Sequence, residues 1–168
     1  MARNSKIITI ENTRFIFVTN FSGDPERDTY GDDSRKANII IPTKEQADDL
    51  AEQGFNVKCT SPKPGEEEGF IPAYFIAVRV NYDSEWPPKI YLVSGNAEPR
   101  LLDESTISTL DKIYVTNVNA VLNPYYSERN KTWSLYVKTM YVEQDVDDDP
   151  FAARYRKRNI EEEALPFN

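Results

Sequence analysis

Apolar and polar positions alternate along much of the chain with the two-residue period of a β-strand. The segments "TRFIFVT" (13–19), "RKANIIIP" (35–42), "AYFIAVRVNY" (73–82), "KIYLVSG" (89–95), "KIYVTNVNAVL" (112–122) and "TWSLYVKTMYV" (132–142) are rich in β-branched and aromatic residues. Such residues suit a pleated, half-buried surface. In the last segment, alternation puts Trp133, Leu135, Val137 and Tyr141 on one face, with Ser134, Tyr136, Lys138, Met140 and Val142 opposite. In residues 73–82 it puts Tyr74, Ile76, Val78, Val80 and Tyr82 on the apolar face and Phe75, Ala77, Arg79 and Asn81 on the other. One helix is clear: Thr43 as N-cap, Gln46 completing a capping box, "KEQADDLAEQ" as the body and Gly54 as the stop. "TISTLD" (106–111) is a weaker helical segment. Residues 21–34, 61–69 and "WPPK" (86–89) read as loops, and "NPYYSERNKT" (123–132) as the connection of a long hairpin. Five or six strands, one helix and no strand–helix alternation predict a mainly β fold. An OB-type antiparallel barrel fits, as does a β-sandwich, whereas a doubly wound parallel sheet does not.

Composition narrows the chemistry. The chain has 168 residues, 39% hydrophobic and 29% charged, with no apolar run of membrane-spanning length. "MARNSKIITI" carries no secretory pattern, and the lone Cys59 suits a reducing compartment, so a cytoplasm is expected. Histidine is absent, which excludes His-based triads and Cys/His zinc sites. There is no GxxxxGK[ST] and no GxGxxG, and the acids of "SGDPERD" and "GDDS" do not follow the calcium-loop spacing. Neither a cofactor, a metal nor an enzyme activity is expected.

The net charge of −8 changes meaning when divided. From Glu143 onward there are eight acidic and four basic residues, leaving twenty and sixteen in the body. The chain is therefore expected to divide into a domain over 1–142 and a flexible acidic tail over 143–168, disordered because like charges repel. The body is only mildly acidic, and its less apolar strand faces pair aromatics with cations. Phe75 stands beside Arg79, and Tyr136 beside Lys138; Trp86 precedes Lys89, and Tyr125 and Tyr126 precede Arg129 and Lys131. Aromatics stack on unpaired bases while cations follow the phosphates, so Phe75, Arg79, Trp86, Tyr125, Tyr126, Arg129, Lys131, Tyr136 and Lys138 are candidate contacts for single-stranded DNA.

The tail repeats a motif: "DVDDDPF" ends at Phe151, and "EEEALPFN" closes the chain. An acidic arm with an apolar tip can steer to a basic-rimmed pocket and bury the tip there. "EEEALPF" resembles the acidic tip of bacterial single-stranded DNA-binding proteins, although here Asn168 follows the phenylalanine. The body resembles a family of phage-encoded single-stranded DNA-binding proteins through "NIIIPTKEQADDL", "EPRLLDEST" and "TWSLYVKTMYVEQ". The resemblance implies an OB-fold that coats single-stranded DNA in phage replication or recombination. It also implies that Glu161, Glu162, Glu163, Leu165, Pro166 and Phe167 recruit a polymerase, helicase or nuclease. No membrane partner is expected, and a homodimer is the commonest closed assembly. Two other readings stand beside this one. One is a virion assembly β-sandwich without DNA binding. The other is a carboxylate-metal nuclease using the loop from Asp24 to Asp33.

Overall fold

The computed structural model describes residues 7–144 apart from 29, 30, 32 and 96. The strands are β1 (Ile8–Thr13), β2 (Phe15–Asn20), β3 (Arg35–Ile41), β4 (Lys58–Cys59), β5 (Tyr74–Val80), β6 (Lys89–Ser94), β7 (Arg100–Leu102), β8 (Val115–Ser127) and β9 (Thr132–Gln144). One α-helix, α1 (Lys44–Glu52), follows β3, and 3-10 helices occupy Pro25–Arg27 and Ile107–Asp111. Among these residues no helix is long and apolar enough to cross a membrane.

The nine strands form one sheet, ordered β1-β8-β9-β5-β3-β2 along its main path. Its two ends, β1 and β2, are halves of a single run interrupted only at Arg14. The sheet therefore curls back on itself through the chain. Arg14 O accepts from Ile40 N at 2.9 Å, and the Thr13 hydroxyl donates to Ile40 O, fixing the corner against β3. The mainly β, one-helix fold is the one expected from the alternation. The pairing is not wholly antiparallel, however: β5 and β6 both run parallel to β9.

These two strands lie end to end along the same edge of β9. Val78 and Arg79 pair with Leu135 and Tyr136, and Lys89–Ser94 then pair with Thr139–Gln144. Residues 81–88 leave the sheet between them and return. β8 and β9 form the hairpin, but both strands extend further than the sequence suggests, meeting at Ser127 and Thr132. Pro124 is tolerated inside β8 because β1 pairs only as far as Leu122. Beyond that point β8 has an edge, where a missing amide donor costs no ladder bond.

Two irregularities decide which side chains face out. The β8–β9 register passes from Val121↔Thr139 to Leu122↔Val137, leaving Lys138 as the extra residue of a bulge. Strict alternation fails there. Leu135 and Val137 face the core before the bulge, and Met140 and Val142 face it afterwards. Tyr141 turns outward and stacks on Tyr91 at 4.8 Å. In β2 the register to β3 shifts between Ile16 and Asn20, and Phe17 takes a left-handed φ of +63°. Phe15 packs edge-on against the fully buried Phe21 at 5.2 Å, while Phe17, two residues on, is 62% exposed.

The core fills the inside of the curl with Ile10, Ile39, Val78, Ile90, Leu122, Leu135, Met140 and Val142, all essentially inaccessible. Each such side chain contributes roughly 1.5–3 kcal/mol relative to exposure. The α1 helix is too short to persist alone. It persists because Ala47 and Leu50 are buried and because Thr43 Oγ1 accepts from Gln46 N at 3.1 Å. Gln46 does not complete the expected capping box: its Nε2 donates to Thr9 O at 3.0 Å and ties the helix to β1. A buried carboxylate, Asp111, anchors the segment after β2. It accepts from Thr19 Oγ1 at 2.7 Å, Phe21 N at 2.9 Å and Ser22 N at 2.8 Å, with Arg27 Nε 3.6 Å away.

Candidate nucleic-acid interface

The excursion over residues 81–88 and the far end of the β8–β9 hairpin enclose an open concavity of about 480 Å³. Asn81, Trp86, Asn123, Pro124, Tyr125 and Tyr136 line it. Each arrives for a local reason. Trp86 sits at the crest of the excursion, where Pro87 and Pro88 forbid continuation of the ladder, and it is 82% exposed. Tyr125 pairs across from Ser134 and Asn123 from Tyr136, so all four occupy the exterior face of the hairpin. Tyr125 and Tyr136 meet edge-to-face at 6.2 Å and 89°, which fixes both rings while Tyr125 remains 59% exposed.

A second concavity, about 320 Å³, shares Asn81 and Tyr136 with the first and continues it across β5. Arg79 lies in register with Tyr136 on one side and with Lys36 on the other. Among the described residues Arg79 is exposed and makes no ion pair, so its guanidinium is available to an anion. Arg35 lines the same concavity but is committed: Nη1 donates to Phe21 O at 2.7 Å, Nη2 lies 3.5 Å from Glu104, and the group rests 5.7 Å over the Tyr82 ring. Asp83 and Glu104 also border this end. A polyanion is therefore favoured along Tyr136 and Arg79 and disfavoured towards the acidic rim. The Tyr82 hydroxyl is buried without a hydrogen-bond partner, and burial pushes its pKa up to about 12.

Of the residues expected from the sequence, the structure brings Trp86, Tyr125, Tyr136 and Arg79 together. Arg129 and Lys131 lie in the hairpin turn beyond Tyr125, and Lys138 is the exposed bulge residue past Tyr136. These three cations are carried by the same hairpin but line neither concavity. Phe75 is on the exterior face but is only 8% exposed, because Phe17 packs against it at 5.1 Å. Tyr126 points to the other face and joins Trp133 at 5.1 Å, which in turn meets Phe55 at 5.4 Å. Residues 161–167 lie outside the described residues. Sequence reasoning did not single out Asn81, Asn123 or Pro124. Reading residues 123–132 as a loop hid the alternation Asn123–Tyr125 that would have placed them beside Tyr136.

The acids of the 24–33 loop that could suggest a metal are in part committed to structure. Asp24 Oδ1 accepts from Glu26 N at 3.0 Å at the start of a 3-10 helix, and Asp28 pairs with Lys36 at 2.6 Å.

A family model described as "Putative phage ssDNA-binding domain" matches residues 2–165. No curated protein matches. Among solved structures, the fold is similar to a C-terminal truncation of the single-stranded DNA-binding protein from bacteriophage Enc34. The TM-score is 0.50 at 16% identity, over 84% of this chain and 87% of that one. The Enc34 protein without that truncation gives a TM-score of 0.45 at 14% identity, covering 89% of each chain. The protein gp2.5, a single-stranded DNA-binding protein encoded by bacteriophage T7, gives 0.41 at 9% identity, over 87% of this chain and 96% of that one.

Proposed function

The chain belongs to the phage ssDNA-binding domain family, and on that premise we propose that it coats single-stranded DNA without chemistry, during phage replication or recombination in the host cytoplasm. The observation that carries the reading is the convergence of Trp86, Tyr125 and Tyr136 on one open concavity beside Arg79, an exposed guanidinium without an ion pair among the described residues. Rings with free faces stack on any base, at roughly 1–3 kcal/mol each, and so bind without sequence preference. Arg79 supplies a phosphate contact, with Lys138 two residues past Tyr136 and Arg129 and Lys131 further out in the hairpin turn as additional cations. These make binding fall as salt rises, because each neutralised phosphate releases condensed cations.

The second part of the proposal concerns the tail. Glu161, Glu162 and Glu163 followed by Leu165, Pro166 and Phe167 form a docking peptide for a replication or recombination protein, the acids steering and the tip burying. Its support is the sequence pattern alone.

The test is an oligo-dT titration at low salt, read by tryptophan fluorescence. Quenching is expected, and Trp86→Phe should remove most of it, because Trp133 is packed between Phe55 and Tyr126 while Trp86 is exposed. Flat fluorescence together with no gel shift would reject the reading.

A further inference from the structure

Phe17 combines two unfavourable choices at one position. A bulky residue at φ +63° is a backbone outlier, and its ring is left 62% exposed. Ordinary alternation would have sent it inward with Phe15. The shifted register between Ile16 and Asn20 instead turns it onto the exterior face of the sheet. Strain of this kind persists where the surrounding structure enforces it, and it collects at functional positions. The exposed ring is not loose: it is held edge-to-face against Phe75 at 5.1 Å and 77°.

What lies in front of the ring indicates its ligand. Phe17 borders an open concavity of about 420 Å³ whose lining includes Arg27, Asn38, Ala77 and Lys36, the last paired with Asp28 at 2.6 Å. In the β3–β5 ladder, Asn38 pairs with Ala77 and Lys36 with Arg79, and Arg79 neighbours Tyr136 on β9. Phe17 and Tyr136 therefore stand on one exterior face at opposite ends of the crossing β2-β3-β5-β9. Three strand spacings separate them laterally, about 14 Å. The surface between them is largely polar, with Arg79 beside Tyr136 and four residues along β5 from Phe75, against which Phe17 packs. A protein-docking patch would more often be continuously apolar at its centre. Two aromatic platforms at the ends of a polar crossing, one of them beside a cation, match an extended polyanion carrying flat apolar groups.

We propose that Phe17 is a second base-stacking platform, at the far end of a single-strand path that starts at Trp86, Tyr125 and Tyr136 and crosses the sheet over Arg79. The inference rests on the single-stranded DNA reading and deepens it. One strand of nucleic acid is held at two stacking stations, with its phosphates bridging them at Arg79. The left-handed turn exists to present the outer station.

The experiment is a length series of oligo-dT, from about 4 to about 16 nucleotides, titrated against the full chain and its variants at fixed salt. Phe17→Gly removes the ring but keeps the turn, since glycine adopts positive φ without steric cost. Phe17→Trp retains a platform. In the unmodified protein, affinity should rise with length as the strand reaches the second station. In Phe17→Gly the extra gain of long over short oligonucleotides should shrink by roughly 5- to 150-fold, the equivalent of one lost stacked base. Phe17→Trp should restore it. Two results would overturn the inference while leaving the functional reading intact. One is a Phe17→Gly series that matches the parent while Trp86→Ala is weakened. The other is an equal loss at every length with a lowered Tm, which would make Phe17 a packing prop for Phe75. If the unmodified protein binds no oligonucleotide, the functional reading fails first and this inference falls with it.

Discussion

Replacing Asp111 by alanine should strongly destabilise the β2 end of the sheet. The carboxylate is buried, with 2% of its side chain accessible. It accepts two backbone amides, from Phe21 and Ser22, and the hydroxyl of Thr19. Alanine leaves all three donors without an acceptor. The hydroxyl can rotate to another partner, but the two amides cannot move without unmaking the segment after β2. Each orphaned buried donor costs about 1–3 kcal/mol, so the two amides together cost about 2–6 kcal/mol. That is a large part of the roughly 5–15 kcal/mol that holds a typical domain. Asp111→Asn should fall between. The amide oxygen can keep Thr19 and Phe21, while its NH2 then opposes the Ser22 amide and Arg27, so one amide is lost at about 1–3 kcal/mol. Urea unfolding followed by tryptophan fluorescence is the assay. With a slope of about 2 kcal/mol per molar, the midpoint should drop by about 1–3 M for alanine and by about half that for asparagine. Midpoints for Asp111→Ala within about 0.3 M of the parent would refute the reasoning, showing that the three bonds are readily replaced.

Other outcomes follow from single contacts. Tyr136→Ala should weaken oligo-dT binding by roughly 1–3 kcal/mol, checked by the same titration, because it removes one ring and the support of Tyr125. Gly54→Ala should cost about 1 kcal/mol or more in urea unfolding: φ is +101° there, and an added Cβ would lie 3.1 Å from Trp133 Cδ1. Tyr82 has its pKa raised from 10.0 to about 12 in the fold, so its neutral form contributes fully below pH 10. Between those values the unfolded chain ionises first and stability is lost as pH rises. Tyr82→Phe should flatten that alkaline loss in urea midpoints, and an unchanged profile would count against a buried phenol.

Much of the architecture was legible because it is written in local patterns. The strand cores of β3, β5, β6 and β9, the Thr43 cap and the Gly54 stop all follow from periodicity and backbone preference within a few residues. The parts that were not legible are properties of pairs of strands. Nothing within "TWSLYVKTMYV" marks Lys138 as an extra residue; the bulge exists because Val121 and Leu122 on β8 face Thr139 and Val137. That one insertion moves Met140 and Val142 into the core and Tyr141 out of it. Phe17 is the same case on β2, where the sequence "FIF" gives no sign that its two phenylalanines part company. At the interface, the pairing of aromatic with cation picks out Trp86, Tyr136 and Arg79, which the fold brings to adjoining concavities. It does not separate Tyr125 from Tyr126, because adjacent residues on a strand point to opposite faces and Pro124 with "SERN" gives the segment the look of a loop.

The excursion between β5 and β6 has a consequence for how such a protein can change. Both strands hydrogen-bond to the same edge of β9 and are anchored there independently, so the sheet does not depend on what joins them. Lengthening a surface connection costs only about 0.6 kcal/mol per doubling. The segment that displays Trp86 therefore behaves as a replaceable cartridge. Its length and ring content can drift, or be redesigned, to set how strongly and how broadly a strand is gripped, while the scaffold that positions Arg79 and Tyr136 stays as it is.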